Sequence, residues 1–374
     1  MKAVILQEDL SKWLGYVGRI VAARGQLPVL SNVLIEAEKE GVVLSATNLE
    51  LGLRVEAGGK VTEEGAITIP ARNLGEFTAS LGPGAVTLSS SGDKLKVENG
   101  KITGNFAGIP AQEFPAMPKM SEKTDKRQRI KVSKKILLDL ARQVAFAAAS
   151  DESRPVLTGI RFSVTDGKLL ATATDGFRLS KKTVEGEFES GKALEEDLIL
   201  PAKSIAELSR IINEGKKESV VLEIVTENNQ VIFAYPPIHL ISRVLEGNFP
   251  DIEKIIPAEH KTLIILDKEE LTRAVRAAAI FARDNSNIIK FKIQNSKFKV
   301  YASAQQTGES EIEIDAESEG EDAEIAFNYR YVTEFLNSCG TERVILKING
   351  SMAPGVWMGE GDESLTHLIM PVRL

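Results

Sequence analysis

Three stretches of this chain follow one pattern at a spacing of about 125 to 130 residues, and that internal repeat restricts the possible folds more than any single motif. The stretches are "EDLSKWLGYVGRIVAARGQLPVLSNVLIEA", "SKKILLDLARQVAFAAASDESRPVLTGIRFSV" and "DKEELTRAVRAAAIFARDNSNIIKFKI". Each reads as a helix, a polar turn and a strand. Apolar residues recur at helical steps in all three: Trp13, Val17 and Ile20, then Leu140, Val144 and Ala147, then Leu271, Val275 and Ala278. One face of each helix is therefore expected to be buried.

A second strand with near period-two alternation follows in each unit, as in "GVVLSATNLELGLRVEA" and "GKLLATATDGFRLSKKTV". The run "TATDGFRLS" (172–180) in the second unit has its counterpart at Thr47 and Asn48 in the first, so it reads first of all as a turn after a strand. A further strand then leads into a second helix in "AITIPARNLGEFTASL", "DLILPAKSIAELSRII" and "AEIAFNYRYVTEFLNS". Pro70 and Pro201 suit a helix start, where a missing N–H costs nothing. Two helices on an antiparallel sheet, three times over, predict an α+β protein of three tandem similar domains. The polar or proline-bearing joins put these at 1–121, 128–251 and 258–374.

The chain of 374 residues is long enough for three cores, and its 43% hydrophobic and 26% charged content is ordinary for globular protein. One cysteine, Cys339, excludes an intrachain disulfide, and the start "MKAVILQEDL" lacks a signal-peptide core, which predicts a cytoplasmic protein. No window approaches the apolar length of a membrane helix.

A net charge of −7 argues against a phosphate-binding partner until the charges are sorted by element. The predicted helical segments, 8–24, 71–81, 133–149, 201–217, 267–283 and 327–339, hold sixteen basic and ten acidic side chains, which leaves an excess of thirteen negative charges elsewhere. The helices are thus expected to form a basic layer and the sheets an acidic one.

Motifs for chemistry fail on inspection. "GEFESGKA" (186–193) matches GxxxxGK, but Ala193 replaces the magnesium-binding hydroxyl, Glu187 and Glu189 repel phosphate, and a strand follows where a helix N-terminus is needed. His239, His260 and His367 lie far apart and read as surface or boundary residues, which leaves no metal site. The acidic run "ESEIEIDAESEGEDAE" lacks calcium-loop order and reads as a strand with a solvated face. Asp175 and Arg178 have no nucleophile or second acid beside them in the motif, so no catalytic site is expected. Aromatic residues, 6% of the chain, do not interleave with lysines, which leaves backbone phosphates as the only nucleic-acid contact this composition supports.

The three-unit layout, with "ARGQLPVLSN", "SRPVLTGI", "ATDGFRLS", "GNFPDIEKIIP" and the terminal "MPVRL" in that order, resembles the bacterial sliding clamp family, the beta subunit of DNA polymerase III. The resemblance covers the whole chain. It implies a ring-shaped head-to-tail homodimer with helices lining a hole for duplex DNA, the DNA clamp fold, and a non-catalytic, cofactor-free role as processivity factor. Helices packed about 10 Å apart support the dimer: six would enclose a hole of roughly 9 Å, twelve a hole of roughly 28 Å.

Sequence-independent contacts to double-stranded DNA are then expected from Lys12, Arg19, Arg24, Arg142, Lys203, Arg210, Arg273, Arg276 and Arg283. Arg24 and Lys203 match positions the family uses for DNA, whereas Asp151 stands where a polar or basic contact belongs. The resemblance also implies a groove in which the DNA polymerase III catalytic subunit, the clamp loader and other proteins with a clamp-binding motif insert a short peptide bearing glutamine and bulky apolar residues. Leu157, Leu179, Pro250, Ile255, Met370 and Val372 would form its apolar walls, with Pro371 in the terminal segment. Thr174 and Gly176 would shape its turn, and Arg178 and Arg373 would offer hydrogen bonds at its edge. Phe177 stands where the family has histidine, which makes the rim more apolar. A generic repeat-domain scaffold and a nucleotide-binding enzyme built on "GEFESGKA" are the competing readings.

Overall fold

The computed structural model describes residues 1–22, 27–120, 129–165, 168–185, 197–225, 229–294, 297–306 and 308–373. Six α-helices occur among them: α1 Gln7–Val17, α2 Ala71–Ala79, α3 Lys134–Gln143, α4 Ala202–Glu214, α5 Lys268–Ala282 and α6 Tyr329–Ser338. They fall two to a repeat. Pro70 and Pro201 each end a strand immediately before α2 and α4. In the third repeat side-chain caps do this work: the Asp267 carboxylate accepts from the Glu270 amide at 2.8 Å, and Asn328 Oδ1 from the Arg330 amide at 3.0 Å.

Each repeat contributes two blocks of strands, and every pairing among the described strands is antiparallel. The first block runs Leu51–Gly58, Gly41–Thr47, Asn32–Glu38, Gly65–Pro70 in repeat one. It runs Arg178–Val184, Lys168–Thr174, Gly159–Thr165, Leu198–Pro201 in repeat two, and Gly308–Gly320, Lys297–Ala304, Ile288–Gln294, Ala323–Asn328 in repeat three. The second block starts from the strand that feeds the first helix. Its members are Lys2–Leu6, Ala85–Ser91, Lys94–Asn99 and Ile102–Ala107; Arg129–Ser133, Ser219–Val225, Gln230–Tyr235 and Ile238–Arg243; and Thr262–Asp267, Arg343–Ile348, Gly355–Gly359 and Asp362–Ile369. The order of strands is the same each time.

Blocks of successive repeats are stitched into larger sheets at one recurring seam. Ile238–Arg243 pairs with Leu51–Gly58 to make an eight-stranded sheet, and Asp362–Ile369 pairs with Arg178–Val184 inside a twelve-stranded one. Because the middle repeat gives one block to each, the described residues divide into two compact units that cut through it: residues 1–134 and 210–244 form one, and 135–185, 197–209 and 245–373 the other.

The apolar positions that helical spacing predicts are buried, although Val144 and Ala147 fall beyond the end of α3. Leu140, Val144 and Ala147 are inaccessible to solvent, as are Leu271, Val275 and Ala278 to within 1%. In the first repeat Val17 and Ile20 are buried as expected, the latter in the turn beyond α1, and Leu10 and Leu14 complete the stripe, while Trp13 is half-buried and tilts against Tyr16 at 5.6 Å. In the third repeat α5 and α6 cover one core containing Phe291, Phe298, Phe327, Phe335 and Trp357. His367, expected near the surface, is fully buried. It lies on the seam strand Asp362–Ile369 opposite Ser180 and Trp357, and the rings of Phe335 and Phe146 each stand 5.3 Å from its imidazole.

Candidate functional site

Eight of the nine candidate phosphate contacts fall among the described residues, and all eight are exposed: Lys12, Arg19, Arg142, Lys203, Arg210, Arg273, Arg276 and Arg283. Arg24 lies outside them. The pattern follows from helical geometry. In α5 the buried positions Leu271, Ala274, Val275, Ala278 and Ala282 take one side, which leaves Arg273 and Arg276 on the other. The same division puts Arg142 beside the buried Gln143 and Lys203 beside the buried Ser204.

These cations are held loosely. Lys12 sits over the Trp13 ring at 4.3 Å and Arg19 over Tyr16 at 4.9 Å, while Arg142 meets Asp139 at 3.1 Å and Lys203 meets Glu152 at 3.6 Å. Arg273 approaches Glu269 at 3.7 Å, and Arg276 has no ion pair among the described residues. Exposed pairs of this kind exchange readily, at a cost of about 1 kcal/mol or less. Asp151 is exposed and its carboxylate is held below the usual range by the Ser153 hydroxyl and amide, at 2.7 and 2.9 Å, so it stays negative.

The basic layer is thinner than expected. α1 ends at Val17 and α3 at Gln143, short of the predicted segments, and the six helices as folded carry eleven basic and nine acidic side chains. Arg19 and Arg283 therefore project from the turns after α1 and α5. The acids Glu8, Asp9, Glu269 and Glu270 occupy first turns, where the helix dipole favours them.

The second candidate site is built around the turn Thr174–Arg178. Thr174 Oγ1 donates to the Arg178 carbonyl at 2.6 Å and accepts from the Gly176 amide at 3.1 Å. Asp175 Oδ1 accepts from the amides of Phe177 at 2.9 Å and Arg178 at 3.0 Å. Gly176 has φ +90°, a left-handed conformation, and no atom within 4 Å of where a Cβ would stand. The first repeat builds the same turn with Thr47 and Asn48. There Thr47 Oγ1 donates to Leu51 O and accepts from Leu49 N, Asn48 Oδ1 accepts from the Glu50 and Leu51 amides, and Leu49 takes φ +76° where Gly176 stands.

Phe177 is thrust outward by this turn and is 64% exposed. Its carbonyl accepts from the Met370 amide at 2.8 Å, which brings the terminal segment alongside, and the Val372 amide donates to Ala326 O at 2.8 Å. Beneath, Leu179 packs with Ile252, Val356 and Leu368, flanked by Phe249, Ile256 and Met358. Exposed Pro250 and Ile255 flank Ile252 in the same segment, Met370 and Arg373 are exposed, and Pro371 and Val372 are half-buried. Leu157 is buried in a short 3-10 turn, Pro155–Thr158, set against the strand Lys168–Thr174.

Arg178 departs from expectation. It is 8% exposed, and its guanidinium is committed internally to Asp175, Glu334 and the Phe146 carbonyl. The bonds from one side chain to three elements require the tertiary fold, and nothing in the motif itself signals Glu334 or Phe146. The apolar floor at Phe249, Ile252 and Ile256 lies in a segment of coil and turn, and no helix or strand period marks it in the sequence.

No group of three or more histidine, cysteine or acidic side chains that could hold a metal occurs among the described residues, and no helix there is long and apolar enough to cross a membrane. The segment "GEFESGKA" lies outside the described residues.

Three family models cover nearly the whole chain: the DNA polymerase III beta subunit N-terminal domain at residues 1–118, its central domain at 131–251 and its C-terminal domain at 253–373. The beta sliding clamp of Synechococcus elongatus is 30% identical over 380 residues that span all of both chains. The solved DNA polymerase III subunit beta of Pseudomonas aeruginosa superposes with a TM-score of 0.91 at 27% identity over the full length of each, and the sliding clamp of Bacillus subtilis with 0.91 at 26%, over 100% of this chain and 99% of that one. With its threefold repeat, its six helices and its stitched antiparallel sheets, the chain belongs to the family of DNA polymerase III beta subunits, the beta sliding clamps.

Proposed function

We propose that two copies of this chain close head to tail into a ring that encircles duplex DNA and tethers the replicative polymerase to it. The observation that carries this reading is the uniform exposure of the eight described cations on helix faces and turns turned away from the cores. Few, exchangeable and sequence-blind phosphate contacts suit sliding, since topological linkage rather than affinity provides persistence. The ring has no catalytic step and acts in the cytoplasm, where bacterial chromosomal DNA lies.

The recurring seam supports the head-to-tail dimer. Ile102–Ala107 is the first repeat's equivalent of Ile238–Arg243 and Asp362–Ile369, yet among the described strands it pairs only with Lys94–Asn99. Residues 308–315 of the third repeat correspond to Leu51–Gly58 and Arg178–Val184, and among the described strands they pair only with Lys297–Ala304. One unpaired edge of each kind per chain allows two copies to complete two further seams and leave none open. Lys94, Lys96 and Lys101 border one edge, and Glu309, Glu311 and Glu313 border the other. The three domains are assigned to 1–121, 128–251 and 258–374, within a few residues of the family-model limits.

The groove around Phe177, Leu179, Ile255 and Met370 is the docking site for a short peptide of the polymerase catalytic subunit, the clamp loader and related partners. An exposed aromatic and two exposed aliphatic side chains over an apolar floor fit bulky apolar residues. The deciding experiment loads the protein onto nicked circular DNA with a clamp loader and passes it over a sizing column. Co-elution that is lost when the circle is linearised is expected; equal retention on linear DNA would mean ordinary phosphate binding.

A further inference from the structure

We propose that Arg178 is a positioning residue that holds the Phe177 turn in place from behind, and that Glu334 on α6 is the second half of the same device. The proposal rests on the groove reading above and departs from the expectation that Arg178 meets the peptide. Each of its three nitrogens is committed to a partner inside the fold, and aromatic rings stand close to it. Nε donates to Asp175 Oδ2 at 3.0 Å, Nη1 to Glu334 and Nη2 to the Phe146 carbonyl at 2.7 Å. The Tyr331 ring stands 4.7 Å from it and the Phe146 ring 5.4 Å.

What these contacts accomplish is visible in Asp175. One carboxylate oxygen is fixed by Arg178 Nε, and the other accepts from the Phe177 and Arg178 amides, so the rotamer that shapes the turn depends on the guanidinium. The turn in turn presents the exposed Phe177 ring, and the Phe177 carbonyl receives the Met370 amide of the terminal segment. Glu334 and Tyr331 come from α6, and Phe146 follows α3, so the peptide groove is tied to the helix layer through one side chain. A planar fork with five donors can hold three partners in fixed directions, which the single ammonium of lysine cannot.

The test uses the full-length dimeric protein, with two readouts. One is fluorescence anisotropy with a labelled peptide, Gln-Ala-Leu-Leu-Phe. The other is amide hydrogen exchange at residues 176–178. Variants are Arg178→Lys, Glu334→Ala and the double variant, each checked by thermal melting. Glu334 lies outside the groove, so Glu334→Ala is expected to weaken peptide binding at least five-fold and to speed exchange of the Phe177 and Arg178 amides at least ten-fold. Arg178→Lys should do the same, and the double variant should be no worse than either single one, because both act through one contact. Wild-type affinity and exchange in Glu334→Ala, with binding lost only in Arg178→Lys, would make Arg178 a direct ligand and overturn the proposal. Absence of peptide binding in the wild type would refute the groove itself, and the exchange measurement would then decide the role of Arg178 alone: slow exchange in Glu334→Ala sinks it.

Discussion

Position 176 and position 49 perform the same left-handed turn with different side chains, and the difference can be measured. A residue with a Cβ at φ +90° is strained by about 1–2 kcal/mol, and nothing around Gly176 offsets that. Gly176→Ala is therefore expected to lower stability by about 1 kcal/mol in urea unfolding. Leu49→Gly relieves the same strain but raises the entropy of the unfolded chain by about 0.5–1 kcal/mol, so a gain of about 0.5 kcal/mol is expected. Loss of stability in Leu49→Gly would mean that its exposed side chain packs in a way that φ does not reveal.

His367 is the second residue whose role is physical before it is functional. Burial, and behind it the nearby Arg178 charge, push its pKa down to about 3, and the ring stacks on Phe335 at 5.3 Å. Neither ring nitrogen has a hydrogen-bond partner among the described protein groups. Above the unfolded value near 6.5 the neutral ring makes no pH-dependent demand. Below it the unfolded chain takes up a proton that the folded chain refuses, so stability falls through the window from about 6.5 toward 3 by up to about 1.4 kcal/mol per pH unit. Between pH 7 and pH 5 the wild type should lose about 2 kcal/mol more than His367→Phe, as read from urea unfolding at both pH values. Equal losses would show that His367 takes up its proton without unfolding.

Elements are where the repeat becomes structure. Each repeat lays down its strands in the same order, and the seam between repeats is a strand pairing that occurs twice within the chain. Ile102, 46% exposed on the edge strand Ile102–Ala107, tests the proposed third use of that seam, between two copies. Ile102→Asp should put a charge, and an acidic one, against an acidic strand. The variant is expected to sediment near the 40.7 kDa of one chain at micromolar concentration, and the wild type, by the dimer proposed above, at about twice that. A variant that stays dimeric would exclude this edge from the interface.

For the whole molecule the question is how an acidic protein can work on DNA. Acids alternate along the partly solvated strand Gly308–Gly320 and fill the first turns of helices such as α5, and exposed arginines and lysines follow on the remaining helix surface. Arg273→Glu with Arg276→Glu reverses two exposed cations that touch no core residue's charge. The double variant should keep the wild-type melting temperature to within a degree or two yet fall at least ten-fold in the amount loaded onto nicked circular DNA at 0.1 M salt. Unchanged loading would remove α5 from the DNA-facing layer.

Much of this was legible in the sequence because it is local. Apolar spacing located the helices, alternation located the strands, and the order Thr-Asp-Gly dictates its own hydrogen bonds within five residues, as Thr47 and Asn48 do again in the first repeat. The repeat determined the architecture, since a pattern used three times must fold three times. Only the tertiary structure decided where each helix stops, which strands form the seams, that His367 is buried on one of those strands, and that Arg178 turns inward to Glu334, 156 residues away. Those outcomes depend on which surfaces meet across long sequence separations, and a buried charge or imidazole takes its character from neighbours that its own segment does not contain.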